Sequence, residues 1–298
     1  MIRSACLAVL LCCVAALSQE TDLNVILMQN TFLVAGPTKT PGLSTFGTAF
    51  LLLRAFVVQP DKGHISGRTV LVTAAHVFEE MSGDTATILL RIHQGERWII
   101  QPARFSIRHN GQPLWKKQAD ADVAVMYVKF PGNVLSMTTI VPTSLLADDE
   151  VLRNTGVVPG VDLNILGFPL STASNDAGFP ILRTGVIASY PLLPTAFTKS
   201  FLVDFRVFKG NSGGPVYYSR PEPKGSTVIC CPPQFIMGLV SKEKSVDMPY
   251  SQLQLSLGEI VHASIIKSTI EMLPAPETKE SDTMTIPIEL IPAQGAQP

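Results

Sequence analysis

Short apolar runs separated by turn residues are the feature of this sequence that most restricts its fold. The runs are rich in Val, Ile, Thr and Phe, and Gly- and Pro-containing turns interrupt them along most of the chain. Many short strands with turns between them are typical of β-barrels and β-sandwiches. Apolar residues recur at helical spacing only from Ile266 to Leu273, after Ser264, a residue type that caps helices. The sequence therefore predicts an all-β protein with one C-terminal helix over residues 259–273.

A polar, turn-prone stretch at Pro142–Pro159 divides the predicted strands into two groups. The first group comprises Asn24–Ala35, Phe46–Val58, Thr69–Thr73, Thr85–Ile92, Trp98–Arg108 and Asp122–Val128. The second comprises Leu163–Gly167, Ile181–Tyr190, Phe201–Val207, Pro215–Tyr218, Thr227–Cys231, Phe235–Ser241 and Gln252–Leu257. These groups predict an N-terminal unit at 19–145 and a C-terminal unit at 146–258.

Residues 274–298 contain prolines, glutamines and scattered acidic residues, so they are predicted to form a flexible tail. Within this tail, Thr285–Pro292 is more apolar. That segment could instead lie extended against a sheet edge or a partner, although its prolines remove backbone donors.

The start of the chain, Met1–Ser18, has the pattern of a signal peptide, with an early Arg3, a short apolar run and small residues before Ser18. It predicts a secreted or periplasmic protein without stable membrane insertion after its removal, with a retained membrane anchor as the alternative. Three of the five cysteines lie in this segment. Cys230 and Cys231 are adjacent, so they are expected to be buried thiols or a strained vicinal disulfide.

The formal net charge of −1 and the lack of a basic run argue against nucleic acid as a partner. The cysteines and histidines do not recur at metal-ligand spacing, so no metal or other cofactor is predicted. Proteins or peptides are the expected partners, and the oligomeric state is left open.

Ser212 stands in the glycine-rich stretch Phe208–Pro215. A serine hydroxyl becomes a nucleophile only beside a base and with donors for the oxyanion, and flanking glycines allow such a geometry. By itself the stretch fits an ordinary turn before a strand equally well. Upstream, however, His76 ends a buried strand and Asp122 begins another. A histidine, an acid and a serine in this order are the arrangement of a catalytic triad, so His76, Asp122 and Ser212 are predicted to form one. Asp120, two residues before Asp122, is the rival acid.

Three segments resemble the signatures of trypsin/chymotrypsin-like serine peptidases: Thr73–His76, Asp122–Val125 and Gly210–Pro215. The resemblance implies two six-stranded antiparallel β-barrels with the triad between them, a C-terminal helix, and an oxyanion hole formed by the backbone N–H groups of Gly210 and Ser212. It also implies a serine endopeptidase that acts through an acyl-enzyme. The alternative is a catalytically silent binding or scaffold protein on the same fold.

Within this family, Gly167–Pro169 and Thr184–Ser189 are similar to segments of the bacterial high-temperature-requirement branch. Only about 25 residues follow Leu273, so no PDZ domain is expected after the peptidase unit. Asn211 stands where zymogen-activated relatives have an acid that pairs with a new amino terminus. The resemblance therefore implies a site that forms without proteolytic cleavage.

Three residues are assigned to the specificity pocket on the same resemblance: Arg206, Ser241 and Glu243. Trypsin-like relatives that cleave after basic residues carry an acid where Arg206 stands. Glu243 could neutralise Arg206 or present its own charge. Small or apolar substrate side chains are expected, or acidic ones if Arg206 is unpaired.

Overall fold

The computed structural model describes residues 22–59, 64–132, 139–219, 234–248 and 251–292. The predicted signal peptide, the strand expected at Thr227–Cys231 and the two cysteines in it lie outside the described residues.

The first half of the chain contributes most of a nine-stranded sheet, called the first sheet. Its strands are β1 (Thr31–Pro37), β2 (Ser44–Gln59), β3 (His64–Thr73), β4 (Thr85–Gln94), β5 (Arg97–Ser106), β8 (Ala124–Lys129), β9 (Val141–Pro142), β16 (Ile286–Pro287) and β17 (Glu289–Leu290), while β6 (Arg108–His109) and β7 (Gln112–Pro113) form a separate pair. The order is β16-β8-β3-β2-β1-β4-β5-β17, with β9 added beside β2. The central strands are antiparallel, and β8 is a continuous apolar run buried on both faces.

The second half forms a closed six-stranded barrel, called the second barrel. Its strands are β10 (Asp162–Gly167), β11 (Ile181–Ile187), β12 (Ser200–Asp204), β13 (Pro215–Ser219), β14 (Gln234–Met248) and β15 (Ser251–His262). All neighbouring strands in it are antiparallel. The all-β prediction and the double-barrel layout are confirmed, although the first sheet has more strands than the six expected.

The helices are short, and the described residues include none that is long and apolar enough to span a membrane. They are α1 (Leu23–Asn30), α2 (Ala75–Glu79), α3 (Asp149–Thr155), α4 (Ala263–Ile270) and α5 (Lys279–Thr283). The strand expected at Asn24–Ala35 is wrong in its first part, because Asp22 caps α1 by accepting from the Asn24 N–H at 2.7 Å. The C-terminal helix is shorter than the predicted 259–273, since β15 continues to His262.

Residues 274–292 are ordered along the first sheet, which corrects the prediction of a flexible tail for this part. Strand β16 pairs with β8, and β17 pairs with β5, so one segment links the two ends of the sheet. Ile288 lies between the two strands, is buried, and donates its N–H to the Lys129 carbonyl at 2.9 Å. The N–H of Ile291 donates to the Pro102 carbonyl at 2.9 Å. The prolines do not prevent this pairing because non-proline residues supply the donors.

Arg91 joins α1 and the loop before β11 to the first sheet. Its buried guanidinium donates to the carbonyls of Gln29 at 2.9 Å, Thr31 at 2.7 Å and Gly178 at 2.9 Å. Burial lowers the pKa of Arg91 to about 9. Among the described residues, the guanidinium donates hydrogen bonds to carbonyl oxygens and forms no salt bridge with an acid.

Candidate active site

His76 and Asp122 lie at the ends of two neighbouring strands. Strands β3 and β8 are antiparallel, and Thr73 at the end of β3 lies opposite Ala124 at the start of β8. His76 follows Thr73 on α2, and Asp122 precedes Ala124 by two residues. The strand pairing therefore brings the two side chains to the same edge of the sheet.

The Asp122 carboxylate holds His76 through both of its oxygens. His76 Nδ1 lies 2.8 Å from Asp122 Oδ2, and the His76 backbone N–H donates to Oδ1 at 3.0 Å. Burial opposes ionisation of Asp122, but the hydrogen bonds and charge of His76 and the hydroxyl of Ser241 lower its pKa to about 2. Burial also opposes protonation of His76, yet Asp122 raises the pKa of the ring above 6.5. The histidine is thus a stronger base than a free imidazole.

Ser212 lies in a turn that requires glycine on both sides. Gly210 and Gly213 have φ angles of 97° and 85°. A Cβ atom at Gly210 would lie 2.2 Å from the Phe168 carbonyl oxygen, and one at Gly213 would lie 2.1 Å from that of Thr48. The turn is also held by the Thr48 N–H, which donates to the Ser212 carbonyl at 2.8 Å. The serine is therefore placed by contacts from both halves of the chain.

The Ser212 hydroxyl faces a backbone carbonyl. Its Oγ donates to the carbonyl oxygen of Ser241 at 2.9 Å. Among the described residues, no hydrogen bond joins this hydroxyl to His76. Catalytic hydrogen bonds are commonly long or poorly aligned before a substrate binds and tighten only in the complex.

Ser241, whose assignment to the specificity pocket stays a prediction, lies beside Asp122. Its buried hydroxyl donates to Asp122 Oδ2 at 2.6 Å. The register of β14 explains this position, because the Val240 carbonyl accepts from the Gly213 N–H at 2.7 Å and the Val240 N–H donates to the Gly214 carbonyl at 2.9 Å. Ser241 therefore contacts the acid through its hydroxyl and the serine through its carbonyl.

The N–H groups of Gly210 and Ser212 have no acceptor among the described residues. In a trans peptide the N–H and C=O point in opposite directions, so a bonded carbonyl indicates where the following N–H points. The Lys209 carbonyl accepts from the Leu170 N–H at 2.7 Å, and the Asn211 carbonyl accepts from the last glycine of the turn at 2.9 Å. Within the described part of the chain, neither of the two N–H groups donates to a protein acceptor. An oxyanion hole needs such a pair of donors.

The side-chain oxygen of Asn211 is hydrogen-bonded inside the turn. Its Oδ1 accepts from the Phe208 N–H at 2.9 Å, and its own N–H donates to the Phe208 carbonyl at 2.9 Å. The amide is buried and packs on Gly167, where a Cβ atom would lie 2.8 Å from Nδ2. The turn is thus held at this position by a neutral group.

A cavity of about 300 Å³ opens beside Ser212. It is lined by Arg206, Val207, Phe208, Lys209, Ser212, Lys242 and Glu243. Arg206 lies 5.1 Å from the centre of the Phe208 ring, and no salt bridge between described residues joins it to Glu243. One carboxylate oxygen of Glu243 is buried without a hydrogen-bond partner. Three of the lining residues are basic and one is acidic. Lys242 forms a salt bridge with Glu259 at 3.9 Å, which leaves Arg206 and Lys209 against Glu243 and a net positive charge in the wall.

Asp120, the rival acid, points to a different partner. It is exposed and forms an ion pair with Lys199, and the hydrogen bond within that pair lowers the pKa of Asp120. Among the residues with described positions, no three His, Cys, Asp or Glu side chains are grouped closely enough to hold a metal ion.

A first β-sheet that carries a His–Asp pair and a second barrel that carries a serine turn define the class of chymotrypsin-like double-barrel proteins. The sequence model of the Trypsin family matches residues 62–246, more than half of the chain. The chain therefore belongs to the trypsin family of serine peptidases, which confirms the resemblance. The likeness to the high-temperature-requirement branch stays a prediction.

A search of curated proteins finds no match to the chain. Among solved structures, a thermostable serine protease AL20 from an extremophilic microorganism aligns with a TM-score of 0.45 and 11% identity, over 81% of this chain and 95% of its own. The protease Anisep from Arthrobacter nicotinovorans aligns with a TM-score of 0.48 and 11% identity, over 85% of this chain and 98% of its own. The serine endoprotease from Yersinia pestis aligns with a TM-score of 0.45 and 12% identity, over 83% of this chain and 64% of its own. The family assignment rests on the sequence model.

Proposed function

We propose that this chain is a serine endopeptidase that hydrolyses proteins or peptides through Ser212, His76 and Asp122. The 2.8 Å contact between His76 Nδ1 and Asp122 carries the proposal, because it leaves the other ring nitrogen, Nε2, to act as a base. Asp122 holds the ring in the required tautomer and stabilises the imidazolium that forms. Membership of the trypsin family supports the same chemistry.

Catalysis begins when the Ser212 hydroxyl exchanges the Ser241 carbonyl for His76 Nε2. A neutral hydrogen bond contributes about 1 kcal/mol, so this exchange is a small obstacle. Nε2 takes the proton as Oγ attacks the substrate carbonyl carbon, and the N–H groups of Gly210 and Ser212 bind the oxyanion. The imidazolium returns the proton to the departing amine as the C–N bond breaks, which leaves an acyl-enzyme. Water, deprotonated by His76, then hydrolyses the ester and restores Ser212.

We also propose that the site is active without proteolytic cleavage. The bound carbonyls of Lys209 and Asn211 and the bonded side-chain oxygen of Asn211 support an oxyanion hole that exists before any activation. The pattern of Met1–Ser18 supports action outside the cytoplasm after export.

A fluorophosphonate probe tests the function, because it labels only a serine that a base has activated. We expect labelling at Ser212 that is abolished by Ser212→Ala and reduced to background by His76→Ala. Asp122→Asn should slow labelling strongly. Asp120→Asn, the matched control two residues away, should leave its rate unchanged. A folded wild-type protein that resists the probe would support the silent binding or scaffold protein instead.

Treatment with a trypsin-like activator tests whether cleavage is required. The labelling rate should be the same before and after treatment. A large gain in rate that accompanies cleavage near Asn24–Ala35 would refute activity in the uncleaved chain.

A further inference from the structure

Thr48 is a fully buried residue of β2 that contacts the serine turn from the first sheet. Its hydroxyl donates to the Gly210 carbonyl at 2.6 Å and accepts from the Phe168 N–H at 3.2 Å. Its backbone N–H donates to the Ser212 carbonyl at 2.8 Å. One side chain thus links the turn to the segment that follows β10.

The Gly210 N–H lies in the Lys209–Gly210 peptide plane, and the φ and ψ angles of Gly210 join this plane to the Gly210–Asn211 plane, which carries the Gly210 carbonyl. The Lys209 carbonyl is held by the Leu170 N–H at 2.7 Å, and the Gly210 carbonyl is held by the Thr48 hydroxyl. A glycine at a φ of 97° offers little steric resistance to rotation of these planes. The hydrogen bonds to the Lys209 and Gly210 carbonyls therefore have to prevent this rotation.

We propose that Thr48 is a positioning residue that holds the Gly210 N–H in the direction required to bind the oxyanion. The inference rests on the proposed peptidase function. Thr48 bonds the carbonyl of Gly210 and not the substrate, so it acts through the turn. Because the oxyanion develops only in the transition state, loss of the hydroxyl should affect turnover more than substrate binding.

The test compares full-length wild type with Thr48→Val, which removes the hydroxyl and keeps the branched shape. Loss of one oxyanion donor costs about 10²–10³-fold in kcat, and Thr48 only orients such a donor. We therefore expect kcat to fall about 10- to 100-fold and KM to change less than about threefold on the best fluorogenic peptide from a library. Thr48→Ser restores a hydroxyl and should recover most of the rate.

Thr269→Val is the matched control. Thr269 is also fully buried, and its hydroxyl also donates to a carbonyl at 2.6 Å, that of Ile265 within α4. This variant should show a comparable fall in unfolding midpoint with an unchanged kcat. Equal losses of kcat in Thr48→Val and Thr269→Val would mean general destabilisation and would overturn the inference.

A folded Thr48→Val protein with wild-type kcat would overturn the positioning role and leave the peptidase function intact. If Thr48→Val does not fold, Thr48→Ala is measured in its place with the same expectation, since it adds no methyl group against the turn. A wild-type protein that neither labels with fluorophosphonate nor hydrolyses any peptide would overturn both proposals.

Discussion

The acid limb of the pH–activity profile tests how Asp122 acts on His76. The ring must be neutral to accept a proton, and Asp122 raises its pKa above 6.5, so activity should rise with pH through a midpoint above 6.5. Asp122→Asn removes the negative charge and leaves burial, which lowers the pKa of His76, so the midpoint should move to lower pH. An amide also favours the wrong tautomer, and the rate should fall about 10⁴-fold, the cost known for this change in a triad enzyme.

Ser241→Ala should behave differently, although it also removes a contact of Asp122. Without the hydroxyl at 2.6 Å, the pKa of Asp122 should rise from about 2 towards its ordinary value of 3.8. Both values lie far below the pH at which His76 titrates, so the acid stays ionised and the midpoint should stay in place. The lost contact should lower the rate about tenfold, through less accurate placement of the carboxylate.

The assay is the second-order rate of fluorophosphonate labelling from about pH 5 to about pH 10, which reports the pKa of the free enzyme. Equal displacement of the midpoint by Ser241→Ala and Asp122→Asn would refute the reasoning, because the charge on Asp122 would then not set the pKa of His76. The pH dependence of stability tests the same contacts of Asp122. The pKa of Asp122 in the folded protein lies below 3.8, so the contribution of this acid to the free energy of unfolding is present above pH 3.8 and is lost as the pH falls through about 2.

Three further predictions concern the surroundings of the site. Arg91→Gln leaves several buried carbonyls without their donor and should lower the free energy of unfolding by about 3 kcal/mol in urea titrations, whereas the exposed Arg97→Gln should change it by less than about 0.5 kcal/mol. Ile288→Ala should cost about 3 kcal/mol in the same assay and Glu289→Ala almost nothing, and equal effects would contradict the packing of this segment. Peptides with Glu before the cleaved bond should have a higher kcat/KM than their Lys counterparts, and Arg206→Gln should reduce the difference, since Lys209 and Lys242 remain.

The predicted triad could be derived from the sequence because each member stands next to a local signal. His76 follows an apolar strand, Asp122 precedes one, and Ser212 lies between glycines that only a special turn requires. Strand ends that pair in the sheet then bring the first two together, as Thr73 and Ala124 do. The local pattern is sufficient here because the register of two strands determines which residues meet.

Local patterns failed where a distant contact decides the structure. Residues 274–298 are predicted to be flexible because they are polar and proline-rich, but the edges of β5 and β8 supply pairing partners for part of them. The helix at the start of the strand expected at Asn24–Ala35 is a different case, because its cap, Asp22, is a local signal that is visible in the sequence. The contact between the Ser241 hydroxyl and Asp122 could not be predicted, since nothing near Ser241 in the sequence indicates it.

In the proposed enzyme, local sequence patterns identify the reacting groups but not the distant groups that orient them. The oxyanion turn is recognisable from its glycines, but the freedom that glycine gives at Gly210 leaves the direction of its N–H undetermined. That direction depends on the bond between the Leu170 N–H and the Lys209 carbonyl and, as proposed, on Thr48, 162 residues away in the chain and on the other half of the fold. Relative movement of the two halves would break the bond of Thr48 to the Gly210 carbonyl and its contact with the Ser212 carbonyl together. The orientation of the oxyanion donors is thus coupled to the docking of the halves, and in the proposed enzyme variants that loosen this docking should lose turnover before they lose the fold.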